Sequence, residues 1–90
     1  MIKGAAFRGI GYKCAMLYFN NEQWSKALKE FSNIVNQTDP CIYEMMAKCY
    51  LRLGEASKHR EFLALAMESY RLCGEYDKEK QIKEKLLVLA

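Results

Sequence analysis

Four cysteines are the residues of this chain that could do the widest range of chemistry, because a thiol can bind a metal ion, act as a nucleophile or form a disulfide. They are widely spaced, with no C-x-x-C pair and no histidine at metal-ligand spacing: Cys14, Cys41, Cys49 and Cys73. Cys41 and Cys49 share one predicted helix, where their spacing corresponds to about 12 Å, too far for a disulfide. The spacing therefore predicts buried free thiols and no metal site.

Free thiols also bear on the compartment in which the protein works. Unpaired cysteines persist in reducing surroundings, and the sequence shows no secretory signal pattern. We therefore expect a cytoplasmic protein, with the nucleus as the alternative location.

Acid–base catalysis would need a histidine or a carboxylate in a protected place. The single histidine, His59, stands between Lys58 and Arg60 in the first turn of a predicted helix, so we expect it to be solvated. Glu61 and Glu68 lie on the same helix, with no apolar surroundings that would prepare a carboxylate for proton transfer. No glycine-rich loop follows a strand, as phosphate binding would require. The sequence therefore predicts no catalytic residue, no cofactor and no enzyme activity.

The composition excludes several classes of protein. A chain of 90 residues forms one domain at most, and its 51% of hydrophobic residues can supply a core. The net charge of +3 forms no basic stripe, so we expect no nucleic-acid surface. Charges interrupt every apolar run before the roughly 18 residues that a membrane span needs, so no span is expected.

One sequence pattern occurs twice, 32 residues apart, and each copy precedes a polar turn and a second amphipathic run. The two copies are Gly11-x-x-Cys14-Ala15-x-x-Tyr18 and Tyr43-x-x-Met46-Ala47-x-x-Tyr50. A period of this length with two helices in each unit is typical of an α-solenoid, in which neighbouring units bury each other's apolar faces. The pattern indicates a recognition module.

Five helices are predicted from the apolar periodicity, at about residues 3–19, 24–35, 40–53, 57–73 and 77–90. Pro40 suits the first position of the third helix, with Asp39 before it as the N-cap. Gly54 and Gly74 are expected to end the third and fourth helices in the left-handed conformation. The last segment either forms a packed capping helix or belongs to a longer solenoid from which this chain is a piece; we favour the cap.

Helices two to five each carry one apolar stripe that should face the core. The predicted stripes are Trp24, Ala27, Leu28, Phe31, Ile34 and Val35; Ile42, Tyr43, Met46, Ala47, Tyr50 and Leu53; Phe62, Leu63, Ala66 and Tyr70; and Ile82, Leu86, Leu89 and Ala90. The first helix is apolar on two sides. One side contains Phe7, Ile10, Cys14, Leu17 and Tyr18, and the other contains Tyr12, Met16 and Phe19. The second side must contact the third helix, another copy of the chain or a ligand, because such a cluster is adhesive in water.

The first unit resembles a tetratricopeptide repeat (TPR). Tyr18 matches the large residue of its first helix, Ala15 and Ala27 match the small residues where the two helices touch, and Trp24 and Phe31 match its large packing residues. Small residues at such a contact let helix axes approach closely. The resemblance implies antiparallel helix-turn-helix units stacked in a short right-handed solenoid, with unit one at about 4–37, unit two at about 40–73 and a cap at about 77–90.

The second unit departs from the family pattern in its second helix. Its expected small residue falls on His59, so we expect the fourth helix to pack in a shifted register through Ala64 or Ala66. A rival parse makes the fourth helix the first helix of a third unit, with Tyr70 before the turn at Gly74. Both parses keep an all-α stack.

The resemblance also implies a groove lined by the first helix of each unit. The matching positions are Tyr12, Lys13, Met16, Phe19 and Asn20 in unit one and Glu44, Met45, Lys48 and Arg52 in unit two. Members that bind the acidic tails of heat-shock chaperones hold the terminal carboxylate with lysine and asparagine, where this chain has Tyr12, Met16 and Met45. The implied partner is therefore a different one, a protein or peptide segment that is apolar with some acidic residues.

The sequence thus predicts a TPR-like adaptor or scaffold that binds a peptide or helix of a partner protein. The alternative is a structural helical domain that associates with itself or within a larger complex. In that alternative the second side of the first helix, or the end from Leu86 to Ala90, would form the seam of a homodimer.

Overall fold

Five α-helices make up the chain as the structure describes it. The computed structural model describes the backbone of residues 3–34 and 39–89 and the side chains of residues 11–34 and 39–89. The helices are α1 (Lys3–Asn20), α2 (Trp24–Ile34), α3 (Pro40–Arg52), α4 (Ala56–Leu72) and α5 (Tyr76–Leu89). These ranges contain no strand, so the predicted all-α class with five helices is confirmed. No helix within them combines the length and hydropathy needed to cross a bilayer.

The helix boundaries lie within a few residues of those predicted from the sequence. Pro40 begins α3, and Asp39 precedes it as the N-cap, although its carboxylate makes no capping hydrogen bond. Gly54 and Gly74 follow α3 and α4 with φ of +78° and +79°. Glycine adopts this left-handed conformation without a steric penalty, so both predicted helix stops are confirmed.

Three of the connections between helices share one hydrogen-bond pattern. In each, the carbonyl of a tyrosine accepts a bond from the amide five residues later, and the next carbonyl accepts a bond from the left-handed residue. The tyrosine carbonyls and their donors are Tyr18 and Gln23, Tyr50 and Glu55, and Tyr70 and Glu75, each pair at 2.9 Å. Glu22, with φ of +60°, occupies the left-handed position in the first turn, where the other two turns have glycine. The α1–α2 turn is therefore the strained member of the set.

The helices pack in the order in which they occur in the chain. α1 packs on α2, α2 on α3, α3 on α4 and α4 on α5. The Cα atoms occupy a slab of 35 × 35 × 16 Å. The arrangement leaves much of the surface of each helix open, because each has only its chain neighbours as major contacts among the described residues.

The core consists of two clusters that meet at α3. The first joins α1, α2 and α3 through Ala15, Ala27, Phe31, Ile42, Met46 and Cys49. The second joins α3, α4 and α5 through Ala47, Leu63, Ala66, Tyr70 and Ile82. Met46 and Ala47 are adjacent, and the roughly 100° between successive helical residues sends them to different clusters. α3 is thus the central element of the fold.

The predicted apolar stripes largely coincide with these clusters. Ala66 is fully buried in the second cluster and Ala64 is exposed. The residue of α4 that meets Ala47 of α3 is His59, so the predicted shift of register is wrong. Cys49 is also fully buried, although it stands outside the predicted stripe of the third helix. Leu53 and Leu89 were predicted to face the core and are exposed instead, because they lie at helix ends beyond the packed surfaces. Val35 and Ala90 lie outside the described residues.

The two-sided prediction for the first helix is correct in part, because Tyr18 of the first predicted side packs against the first core cluster. Leu17 was predicted to lie on the core side but is exposed. The other predicted side packs against the first cluster: Tyr12 makes an edge contact with the Phe31 ring at 6.3 Å, and Met16 and Phe19 also pack there. The side chains of Phe7 and Ile10 lie outside the described part. The packed side is centred on the fully buried Ala15, which an apolar-residue count underrates because alanine is small.

The prediction of buried thiols holds for one cysteine and fails for another. Cys49 is buried and Cys73 is exposed, while Cys14 and Cys41 are partly buried; none forms a disulfide. Removal from water raises the pKa of the Cys49 thiol to about 11. Cys73 is exposed because it is the C-cap residue of α4, beside the α4–α5 turn.

Candidate partner-binding surface

A shallow cleft on α1 contains four of the nine residues predicted to bind a partner. Tyr12, Lys13, Met16 and Asn20 line it together with the exposed Leu17, and its volume is about 280 Å³. These positions recur every three or four residues, so they lie along one side of the helix. We call this depression the α1 cleft.

A larger cleft lies where α3, α4 and α5 meet, with a volume of about 410 Å³. It contains the predicted residues Glu44 and Lys48, and its other lining residues come from all three helices. These are Leu51 from α3, His59 and Leu63 from α4, and Lys85, Val88 and Leu89 from α5. We call this depression the α3–α5 cleft.

The two clefts use equivalent positions of the repeated pattern. The 32-residue offset that relates Tyr18 to Tyr50 also relates Tyr12 to Glu44 and Met16 to Lys48. Each of these four residues lines its own cleft. α1 and α3 therefore present the same helix face to a depression in the surface.

The other three predicted residues contact neighbouring helices and line neither cleft. Phe19 makes an edge contact with the Trp24 ring at 5.1 Å, and the Arg52 guanidinium lies 5.8 Å from the centre of the same ring. Met45 packs against the first core cluster. These contacts join the ends of α1, α2 and α3, so the nine predicted residues do not line one common groove.

No protein-family model, curated protein or solved structure matches the chain. Within the described residues, no group of His, Cys, Asp or Glu side chains could hold a metal ion. The two clefts are lined by apolar and charged side chains.

Glu44 joins the three helices around the α3–α5 cleft. Its Oε1 accepts a hydrogen bond from the Tyr70 hydroxyl at 2.7 Å, and its Oε2 lies 3.8 Å from Lys85 Nζ. Burial raises the pKa of Tyr70, and the bond to Glu44 raises it further. The carboxylate is half-buried and already has partners on α4 and α5, so it fixes the wall of the cleft.

His59 is buried, which contradicts the expectation that it is solvated. Its exposed fraction is 9%, and its Nδ1 lies 2.8 Å from the carbonyl oxygen of Ala47. A carbonyl only accepts, so Nδ1 carries the proton and donates it. The repeat could have revealed this position, because His59 is the 32-residue equivalent of the fully buried Ala27.

The lining of the α3–α5 cleft carries more positive than negative charge, with two lysines and one glutamate. Lys48 is exposed, and no acidic side chain of the described residues pairs with it. Lys85 shares the Glu44 carboxylate with Tyr70, and Arg60 donates a hydrogen bond to the Leu89 carbonyl at 3.4 Å. The cleft thus combines apolar walls with a cationic margin. Sequence reasoning missed the α5 side of this cleft because residues 77–90 were assigned to a cap and, from Leu86 to Ala90, to a possible homodimer seam.

Proposed function

We propose that this protein is a small TPR-like interaction module that binds a segment of a partner protein along the exposed face of its odd-numbered helices. The observation that carries the proposal is the equivalence of the two clefts. Tyr12 and Met16 on α1 occupy the same repeat positions as Glu44 and Lys48 on α3, and both pairs line depressions. A surface built by repetition suits an extended partner better than a single small substrate.

The arrangement of the helices supports a short right-handed solenoid as the architecture. Consecutive helices pack on one another, and three of their connections share one turn geometry. The hydrogen bonds of the Tyr70 turn match those of the Tyr50 turn, so α5 could begin a further unit as well as cap the stack. Either way, α5 supplies the third wall of the α3–α5 cleft.

The absent carboxylate clamp supports a partner other than a chaperone tail. Tyr12, Met16 and Met45 occupy the positions that would have to bind a terminal carboxylate, and all three pack against the first core cluster. An apolar segment with acidic residues fits the two clefts better. The absence of disulfides among the described cysteines is compatible with the proposed cytoplasmic or nuclear location.

Site-specific photo-crosslinking in cells tests the proposed function. A photoreactive phenylalanine analogue in place of Leu17 probes the α1 cleft, and one in place of Lys48 probes the α3–α5 cleft. Matched controls place the analogue at Lys29 on α2 and Ala64 on α4, which are exposed positions outside both clefts. We expect the two cleft positions to capture a common protein at least about tenfold more than the controls. Equal capture at all four positions, or none, would contradict the proposal.

Self-association is a second candidate, favoured by the outer side of α5. A shallow depression there is lined by Tyr76, Lys80, Lys83 and Leu87 with two glutamates, and Leu87 is 68% exposed. If this side forms a homodimer, sedimentation equilibrium will show twice the monomer mass, and Leu87→Asp will restore the monomer. A wild-type monomer at high micromolar concentration would exclude this candidate. Crosslinks in the first experiment that join only copies of this chain would favour it.

A further inference from the structure

The α3–α5 cleft has a chemical character that the α1 cleft lacks. Its apolar walls are Leu51, Leu63, Val88 and Leu89, contributed by three different helices. Its volume of about 410 Å³ falls within the roughly 300–1,000 Å³ typical of ligand sites. Val88 is 84% exposed, so the cleft opens to solvent along α5. An apolar side chain from a partner could therefore enter it without any movement of the core.

The charges at the margin of the cleft determine which type of residue is favoured next to that apolar side chain. Glu44 is the acidic residue of the cleft, and its carboxylate is occupied by Tyr70 and Lys85. Lys48 has no such partner among the described residues and is exposed on the α3 side. The cleft therefore offers an ammonium group to an incoming anion while its own carboxylate is already neutralised. The arrangement attracts an acidic group of a ligand and repels a basic one.

Resting on the proposed interaction function, we infer that the α3–α5 cleft binds a peptide segment of a partner protein in which a large apolar residue inserts into the cleft beside an acidic residue that pairs with Lys48. The apolar side chain supplies most of the affinity by leaving water. The ion pair at the open margin contributes less, because salt and water screen it, but it sets the orientation and the preference for acidic segments.

A peptide is the occupant that this geometry favours over a second copy of the chain. The exposed apolar side chains of α5 divide between its two sides: Val88 lines the α3–α5 cleft, and Leu87 lines the outer depression. The outer depression carries two lysines and two glutamates, whereas the α3–α5 cleft carries an unpaired lysine. Net positive charge opposes self-pairing at the cleft and suits an acidic ligand.

Selection from a random peptide display library tests the inference directly. The purified full chain is the bait, and enriched peptides are synthesised with a fluorescent label for anisotropy titration. We expect the enriched sequences to place Leu, Ile, Met or Phe next to Asp or Glu. A substitution of the apolar residue by Ser should weaken binding at least about tenfold, and a substitution of the acid by Lys should weaken it about fivefold. Enrichment of basic peptides, or of none, would overturn the inference.

Paired variants locate the site on the protein. Val88→Trp places a bulky ring in the cleft, and its matched control Leu87→Trp places the same ring on the opposite side of α5. Lys48→Glu reverses the marginal charge, and Lys29→Glu makes the same change on α2. Val88→Trp should weaken binding of the selected peptide about tenfold or more, Lys48→Glu should weaken it about fivefold, and each control should change the affinity less than twofold. All four positions are exposed, so the fold should persist, which circular dichroism can check.

The two proposals fail in distinguishable ways. If the selected peptides bind Val88→Trp and Lys48→Glu as tightly as the wild type, the inferred site is wrong. The interaction function would still stand if Leu17 and Lys48 capture a common protein in the crosslinking experiment. Conversely, if peptides bind at the cleft but neither Leu17 nor Lys48 captures a protein in cells, the inferred site is correct and the proposed function is wrong.

Discussion

The α1–α2 and α3–α4 helix pairs of this protein pack through equivalent positions that hold different side chains. In the α1–α2 pair the contact residues are small: Ala15 and Ala27 are fully buried, and a Cβ atom on Gly11 would lie 2.6 Å from Cγ2 of Ile34. In the α3–α4 pair the position equivalent to Gly11 is Tyr43, and the position equivalent to Ala27 is His59. Small residues leave little space between α1 and α2, whereas the rings of larger residues fill the contact between α3 and α4.

The second pair tolerates these rings because their polar atoms have partners. The His59 imidazole donates to the carbonyl of Ala47, and within the described part no buried side-chain nitrogen or oxygen lacks a hydrogen bond. Tyr43 and Tyr50 both lie near the Phe62 ring, with centroids 6.2 and 5.1 Å away. A buried polar group costs free energy only when it is unpaired. A repeat position can therefore change from alanine to histidine without loss of the helix pair.

The largest loss of stability should come from placing at Gly11 of the first pair the tyrosine that occupies the equivalent position, Tyr43, in the second pair. Gly11→Tyr forces a ring against the β-branched side chain of Ile34, so we expect the free energy of unfolding to fall by about 3 kcal/mol or more, as in severe overpacking. Urea denaturation measures this loss, with Lys13→Tyr on the exposed side of α1 as the control. A loss below about 1 kcal/mol would show that α1 and α2 can separate freely.

The next effect concerns the imidazole of the second pair. His59→Ala removes a buried ring and its bond to Ala47, and we expect a loss of about 2 kcal/mol in the free energy of unfolding. His59→Phe keeps the ring but not the donor, so it divides the effect into packing and hydrogen bonding. If both variants unfold at the wild-type urea concentration, His59 contributes nothing to the contact.

Substitutions at the left-handed turn positions of the two pairs should change the stability less, and in opposite directions. Gly54→Ala places a side chain at φ of +78° with no atom within 4 Å of its Cβ, so only backbone strain acts. We expect it to destabilise by about 1 kcal/mol. Glu22→Gly should relieve the same strain in the α1–α2 turn and stabilise by up to about 1 kcal/mol, less the added flexibility of the unfolded chain. Thermal unfolding would contradict this account if both changes shifted the midpoint in the same direction.

The smallest effect is a dependence of stability on alkaline pH that arises beside the first pair. The Cys49 thiol has a pKa of about 11 in the folded protein against 9.0 as the reference. Above pH 9 the unfolded chain loses this proton first, so its contribution to stability is present below pH 9 and decreases between pH 9 and 11. By pH 9.5 we expect a loss of less than about 1 kcal/mol from this thiol. Cys49→Ala should remove that part of the pH dependence. If the stability of Cys49→Ala falls with pH as the wild type does, other groups cause the loss, and Tyr70 is the first to test.

The lining of the two clefts could be predicted only in part, because the place of each side chain also depends on the helices that pack beside it. The periodicity of α1 and α3 placed Tyr12, Met16, Glu44 and Lys48 on equivalent faces, since those positions depend only on helix geometry. Phe19 and Arg52 share those helices but turn to Trp24, which belongs to α2. Nothing in the spacing along one helix says which of its faces a neighbouring helix will cover.

What the sequence alone determined is local. The apolar period set the five helices, and Gly54 and Gly74 set two of their ends, because helix repeat and left-handed φ are properties of the chain itself. The tertiary structure decided that His59 is buried, that Cys73 is exposed, and that Val88 lines the α3–α5 cleft while its neighbour Leu87 lines the outer depression. These outcomes depend on where α3 and α5 dock, and burial is a property of the surfaces that meet.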